Sequence, residues 1–183
     1  MGKISILDIA DMKIRGEKIA MITAYDYTMA QIADKAGIPL VLVGDSLGMV
    51  VLGYDSTIPV TMVAMLHHSK TVVRGAGRCL VVVDLPFMSY QVSESQALSN
   101  AARLMQEGGA HSVKLEGGEN VAPIVERIVN AGIPVMGHIG LTPQSVHGLG
   151  GYKVQGRQRE RAEQLVKDAI ALEDAGAYAV VLE

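Results

Sequence analysis

Five ionisable residues, Asp45, Asp84, Glu116, His138 and Glu183, each stand where a short apolar run stops, after Val43-Gly44, Val83, Leu115, Gly137 and Leu182. One such acid is as readily a helix cap or half of an ion pair as a catalytic group. Five in the same place relative to an apolar run point instead to one shared cavity. Asp45, Asp84 and Glu116 are hard oxygen ligands with no cysteine nearby and only one histidine at a comparable position. That donor set favours Mg2+ or a similar cation, gripped by one or two carboxylates with water and substrate oxygens completing the shell. Zinc would call for more imidazole or thiolate. Lys114 lies two residues before Glu116, so on a strand both point to one face. There it could neutralise the acids, or bind a carboxylate or enolate oxygen of an anionic substrate. Glu183 follows Ala179–Leu182, and an apolar setting makes a carboxylate a better general base near neutrality. The competing reading of Glu183 is a frayed, solvated end.

Lesser features have weaker claims. Gly44-Asp45-Ser46-Leu47-Gly48 could hold an anion with backbone N–H groups and the Ser46 hydroxyl, but it lacks both the P-loop lysine pattern and GxGxxG. His67 and His68 fall within a helix, about 100° apart, and cannot face one ligand well, so surface or packing roles are expected. Cys79 reads as a small buried hydrophobe, and the ten methionines mostly as core filler. Residues 150–157 carry two cations and an aromatic, and read as a mobile lid or simply a long loop.

The elements that must position these groups repeat along the chain. Strands are expected at Ile19–Tyr25, Leu40–Asp45, Cys79–Asp84, Ser112–Glu116, Pro134–His138 and Tyr178–Glu183. They are apolar almost throughout, as strands covered on both faces are. Four junctions look alike: DKAGIPLVLVGD, QEGGAHSVKLEG, VNAGIPVMGHIG and EDAGAYAVVLE. In each, Gly37, Gly109, Gly132 or Gly176 stands where a helix would end in a left-handed residue before a strand. Ser93 and Gln96 have capping-box spacing, opening a helix over Glu94–Gln106; another is expected over Thr61–Arg74. Strands alternating with helices argue for βαβ units and a parallel sheet, either doubly wound or closed into a barrel. In both, the ligand site lies outside the carboxyl ends of the strands.

Composition sets the limits. The 183 residues carry a net charge of −3, 49% hydrophobic and 19% charged residues, and one cysteine. Such a chain builds a real core, suits about one domain, and has neither the basic charge expected for nucleic acid nor a disulfide framework. No apolar leader and no 18-residue apolar run occur, so neither signal peptide nor membrane span is expected, and a cytoplasmic location is. A full barrel usually needs ~250 residues. Residues 1–183 are therefore expected to form one incomplete barrel domain of about six strands.

Seven stretches resemble the ketopantoate hydroxymethyltransferase family: ITAYDY (22–27), VGDSLGM (43–49), DSTIPVT (55–61), DLPFMSY (84–90), VKLEGG (113–118), GHIGLTPQS (137–145) and GGYKVQGR (150–157). The resemblance implies a (β/α)8 barrel of the phosphoenolpyruvate mutase/isocitrate lyase type. It implies transfer of a hydroxymethyl group from 5,10-methylenetetrahydrofolate to 3-methyl-2-oxobutanoate, in pantothenate and coenzyme A biosynthesis, and a homodecamer. By position it implies a Mg2+ site at Asp45, Asp84 and Glu116, keto-acid contacts from Asp45, Ser46, Asp84 and Lys114, and Glu183 as proton acceptor. His138 is placed to hydrogen-bond substrate or to orient Glu183. The alternatives are another Mg2+-dependent lyase or mutase of the same barrel type, and a non-catalytic assembly subunit whose acids are only caps and ion pairs.

Overall fold

The computed structural model describes residues 2–183. Six strands, β1 (Met21–Thr23), β2 (Leu40–Val43), β3 (Leu80–Asp84), β4 (Ser112–Glu116), β5 (Val135–Ile139) and β6 (Ala179–Leu182), form one sheet. Every neighbouring pair is parallel, and the spatial order is the sequence order, β1 to β6. A doubly wound sheet reverses direction at a switch point. This one never does, so it is six consecutive staves of a β/α barrel.

The helices in chain order are α1 (Ile6–Ile14), α2 (Tyr27–Lys35), α3 (Leu47–Val50), α4 (Met62–Gly75), α5 (Glu94–Gln106), α6 (Ala122–Val129), α7 (Val146–Leu149) and α8 (Arg159–Asp174). Their starts are local chemistry. The side chains of Asp26, Thr61 and Ser93 accept from backbone N–H groups three residues on, at 2.8, 3.2 and 3.2 Å, which satisfies donors the helix itself cannot. The capping box at Ser93 is half formed: the Ser93 hydroxyl accepts from the Gln96 N–H, but the Gln96 side-chain oxygen makes no return bond. A complete box stands at α1, between Ser5 and Asp8. Helix ends follow the repeat: Gly37, Gly109, Gly132 and Gly176 all have φ between 73° and 91°, a region closed to most residues with a Cβ.

β2 to β5 are buried nearly throughout, whereas β1 and β6 are largely exposed. The expectation of strands covered on both faces therefore fails at the two edges, where a neighbour lies on one side only. The strands are also tighter than expected. Asp45, Cys79 and Glu183 lie just outside β2, β3 and β6, and β5 runs one residue past His138. Among the described methionines, Met65 and Met136 are buried and Met12, Met62 and Met105 pack against the core from its margin, whereas Met21, Met29, Met49 and Met88 are exposed, so the expectation of core filler holds for about half of them.

Away from the carboxyl ends, Asp34 on α2 brackets the foot of β3. Its Oδ1 accepts from the backbone N–H of Arg78 at 2.6 Å and of Cys79 at 3.0 Å, and the Cys79 thiol lies 3.2 Å away.

Candidate active site

Sheet register places the chemistry. Asp84 and Lys114 are direct partners across β3 and β4, and Glu116 and His138 are partners across β4 and β5. Because alternate residues share a face, Lys114 and Glu116 also point the same way. Lys114 Nζ lies 2.9 Å from Asp84 Oδ1, both side chains buried. The contact is an ion pair by distance, but Asp84 Oδ1 has no aligned hydrogen bond and keeps a lone pair unsatisfied. Asp84 Oδ2 accepts from the backbone N–H of Asp45 at 3.0 Å, which joins β3 to the turn after β2.

That turn is drawn close at Gly44. A Cβ there would lie 2.9 Å from Ser46 Oγ and 3.5 Å from Asp84 Oδ2. Ser46 is not free to face a ligand alone, since its hydroxyl shares a 2.9 Å hydrogen bond with the Tyr25 hydroxyl. One amide of the Gly44–Gly48 turn is likewise occupied by Asp84, so the anion cradle considered for this turn is in part already filled.

Asp45 and Glu116 are tied together by Gln144, a residue the sequence reading missed. Gln144 Nε2 donates to Asp45 Oδ2 at 2.8 Å and to the Leu85 carbonyl at 3.0 Å. Its backbone N–H donates to Glu116 Oε2 at 3.0 Å. Tyr90, also missed and fully buried, sits behind: its hydroxyl accepts from the Glu116 N–H at 3.1 Å and faces the Glu116 carbonyl and Gln144 Oε1 at 2.9 and 3.0 Å. Both residues lie inside two of the seven matching stretches, DLPFMSY and GHIGLTPQS, which was the signal available.

His138 is neutral. Burial, helped by the nearby Lys114 ammonium, pushes its pKa down to about 3. Its Nδ1 lies 3.4 Å from Lys114 Nζ and 3.6 Å from Glu116 Oε1, and its Nε2 comes within 3.2 Å of Glu183 Oε2 without the alignment of a hydrogen bond. Glu183 is half exposed, so the apolar enclosure expected for it is absent. It is not frayed either. Its N–H donates to Ile139 O at 3.2 Å, and its carbonyl accepts from the Leu141 N–H at 2.9 Å.

The electrostatics are unbalanced. Burial first, then repulsion from Asp84, raises Asp45 from 3.8 to about 7. Burial first, then Asp45, raises Glu116 from 4.5 to about 8. Burial alone would lower the Lys114 pKa, but Asp84, helped by Asp45 and Glu116, outweighs it and holds the ammonium above its ordinary range. Three carboxylates thus face one buried ammonium. If all were ionised the cluster would carry two uncompensated negative charges, the deficit a hard divalent cation makes good. Among the described residues, no three His, Cys, Asp or Glu side chains converge tightly enough to grip one ion directly. The fit is to a cation held by one or two carboxylates, with water and a bidentate substrate completing the shell.

A family model for ketopantoate hydroxymethyltransferase matches residues 3–183. The chain belongs to that family. It is 62% identical, along its whole length, to the 3-methyl-2-oxobutanoate hydroxymethyltransferase of Carboxydothermus hydrogenoformans, and covers 66% of that protein. It is 65% identical over 98% of its length to the enzyme of the same name from Dehalococcoides mccartyi, covering 64% of it. The chain thus spans about two thirds of the length of the curated relatives it matches. Among solved structures it resembles phosphonopyruvate hydrolase in complex with oxalate and Mg2+, at a TM-score of 0.74 and 12% identity, covering all of this chain and 63% of that one. It also resembles 2,3-dimethylmalate lyase, a member of the phosphoenolpyruvate mutase/isocitrate lyase superfamily, at 0.70 and 16%, over 97% of this chain and 62% of that one. At such identities the likeness speaks for the fold: six parallel staves of that superfamily's barrel. Among the described residues no helix is long and apolar enough to cross a membrane.

Proposed function

We propose that residues 1–183 form one incomplete barrel domain, six staves of an enzyme that transfers a hydroxymethyl group from 5,10-methylenetetrahydrofolate to 3-methyl-2-oxobutanoate, giving 2-dehydropantoate. The observation that carries the reading is the buried cluster of Asp45, Asp84 and Glu116 around a single ammonium, on a chain 62% identical to a protein named for this reaction. The resident cation would be Mg2+, and Asp45, Asp84 and Glu116 are the residues that would hold it, with water and substrate oxygens completing the shell. Bound there, Mg2+ supplies Lewis-acid stabilisation of negative charge developing on the keto oxygen.

The chain's own residues do the rest. Lys114 meets the anionic end of the keto acid or its developing oxyanion from a fixed position, with no reorganisation at the moment of reaction. Glu183 removes the C3 proton; its backbone is pinned by Ile139 and Leu141 while its carboxylate stays open to the rim. His138 stands beside that carboxylate, Nε2 to Oε2 3.2 Å, from where it would orient Glu183 without adding charge. The enolate carbon then attacks the methylene carbon of the folate, a C–C bond forming as one methylene–nitrogen bond breaks and that nitrogen takes up the proton removed from C3; water then displaces the second nitrogen, its oxygen becoming the hydroxyl and its proton going to the tetrahydrofolate released. A cytoplasmic homodecamer acting on small molecules, with no nucleic-acid or membrane partner, completes the proposal.

The test is Mg2+-dependent exchange of the C3 proton of 3-methyl-2-oxobutanoate into deuterium oxide, followed by NMR. Asp84→Ala should abolish exchange, and undiminished exchange in that variant would remove Asp84 from the metal site. Product formation that needs the folate separates this reaction from that of a lyase or mutase on the same barrel.

A further inference from the structure

Gln144 sits at 5% exposure in a one-turn 3-10 helix, Pro143–Ser145, just beyond β5. Its hydrogen-bonding capacity is almost entirely used. The two amide protons go to Asp45 Oδ2 and Leu85 O, at 2.8 and 3.0 Å. The amide oxygen accepts from Gln91 Nε2 at 3.1 Å and faces the Tyr90 hydroxyl at 3.0 Å. Tyr90 has one proton, so it serves either Gln144 or the Glu116 carbonyl at a given moment. The carboxamide can stand only one way round. Flipped, its oxygen would face two acceptors, Asp45 Oδ2 and Leu85 O, and its NH2 would face the Gln91 NH2. The backbone N–H is also committed, to Glu116 Oε2 at 3.0 Å.

One residue thus occupies one oxygen each of two acids that lie 99 and 28 residues away in the chain. What it leaves matters more. Asp45 Oδ1 and Glu116 Oε1, the latter with only His138 Nδ1 beside it at 3.6 Å, are the oxygens that remain for a ligand, and their directions follow from where the other oxygen of each carboxylate is held.

We infer that Gln144 is a positioning residue: it selects which oxygens of Asp45 and Glu116 are presented to the divalent cation and keto acid, and Tyr90 and Gln91 hold its amide in the required sense. The inference rests on the proposed function for the identity of the ligand, but not for the orientation of the acids. Carboxylates that ligate metals are themselves held by outer hydrogen bonds, whose loss typically costs about 10–100-fold in metal affinity or activity.

Two measurements on the full chain test it. A crystal structure of Gln144→Met, which keeps the side-chain length and the backbone N–H, should show the Asp45 carboxylate rotated away from its present direction while Glu116 stays. An Asp45 carboxylate in its original place overturns the inference, whatever the protein binds. Calorimetric titration of Mg2+ at saturating 3-methyl-2-oxobutanoate should give a Kd about 10–100-fold weaker for Gln144→Met, and added Mg2+ should restore its turnover. A Kd within twofold of the parent overturns the inference too, as does turnover that excess Mg2+ fails to restore, since a merely structural defect would behave so. Tyr90→Phe, which leaves the amide oxygen with Gln91 alone, covers the case of a misfolded Gln144→Met and should weaken Mg2+ in the same direction by less; unchanged affinity there counts against the inference. Absence of Mg2+ binding by the parent protein would refute the functional reading alone, and the crystal structure would still decide the positioning role.

Discussion

Replacing Lys114 by methionine keeps all but the last atom of the side chain's length and removes the ammonium that faces Asp45, Asp84 and Glu116. At 2.9 Å from Asp84 Oδ1, the attraction lost is about 6 kcal/mol at an effective dielectric constant of about 20. Removing one partner of a buried pair typically costs 3–5 kcal/mol, because the charge left behind stays desolvated. The pocket limits that cost in one way. Asp45 and Glu116, already raised to about 7 and 8, take up protons once the ammonium is gone. At pH 6 both acids are largely protonated in the folded state, so less negative charge is left uncompensated. Urea unfolding in EDTA should therefore show Lys114→Met less stable by about 3–5 kcal/mol at pH 8, and by clearly less at pH 6. A loss under about 1 kcal/mol at pH 8, the level of an exposed pair, would refute the reasoning. So would a loss that does not shrink at pH 6.

Glu183→Gln should still bind Mg2+ and keto acid by calorimetry while losing C3 proton exchange; normal exchange removes it as the base. His138 has a folded pKa of about 3 against an ordinary 6.5, so the unfolded chain takes up the proton first as pH falls. Its stabilising contribution is full above about 6.5 and is lost toward pH 3, with a limiting slope of about 1.4 kcal/mol per pH unit. His138→Gln should flatten the denaturation profile by that slope between pH 6 and 4 in EDTA, and parallel profiles would contradict it. The acids act in the opposite sense: their raised pKa values favour the folded state at low pH and less so as pH rises through 7 and 8, so added Mg2+ should raise the melting temperature more at pH 8 than at pH 6. Gly75→Ala should destabilise by roughly 1–3 kcal/mol, although alanine favours helix by about 1 kcal/mol, because the new Cβ would press on the Tyr27 carbonyl and lie 2.9 Å from Ala30 Cβ; a thermal melt no lower than the parent's would contradict that packing.

The parts that can be read in one dimension were those with a local cause. The four glycine junctions predicted left-handed residues, and all four have them; Ser93 marked the start of α5, and its end at Gln106 came where expected. The meeting of Asp84, Lys114, Glu116 and His138 was legible for a related reason. Each ends or nearly ends an apolar strand, and parallel pairing aligns such ends. Gln144 and Tyr90 were not legible from pattern. Their partners lie 26 to 99 residues away, and no periodicity marks a glutamine on a single 3-10 turn. The exposure of β1 and β6 escaped for a different reason: apolar composition describes what a strand can bury, and only the sheet order tells which strands stand at its edges.

The bracket at the foot of β3 bears on experiments with this molecule. Cys79 is its only cysteine, and burial, followed by the hydrogen bond and charge of Asp34, pushes its thiol up to about 12. Maleimides, iodoacetamides and mild oxidants act on the thiolate, and here almost none exists at neutral pH. A fluorophore or spin label attached through a cysteine introduced on the exposed loop at Tyr152 would then report from that one place, with the native sulfur left untouched as a silent background.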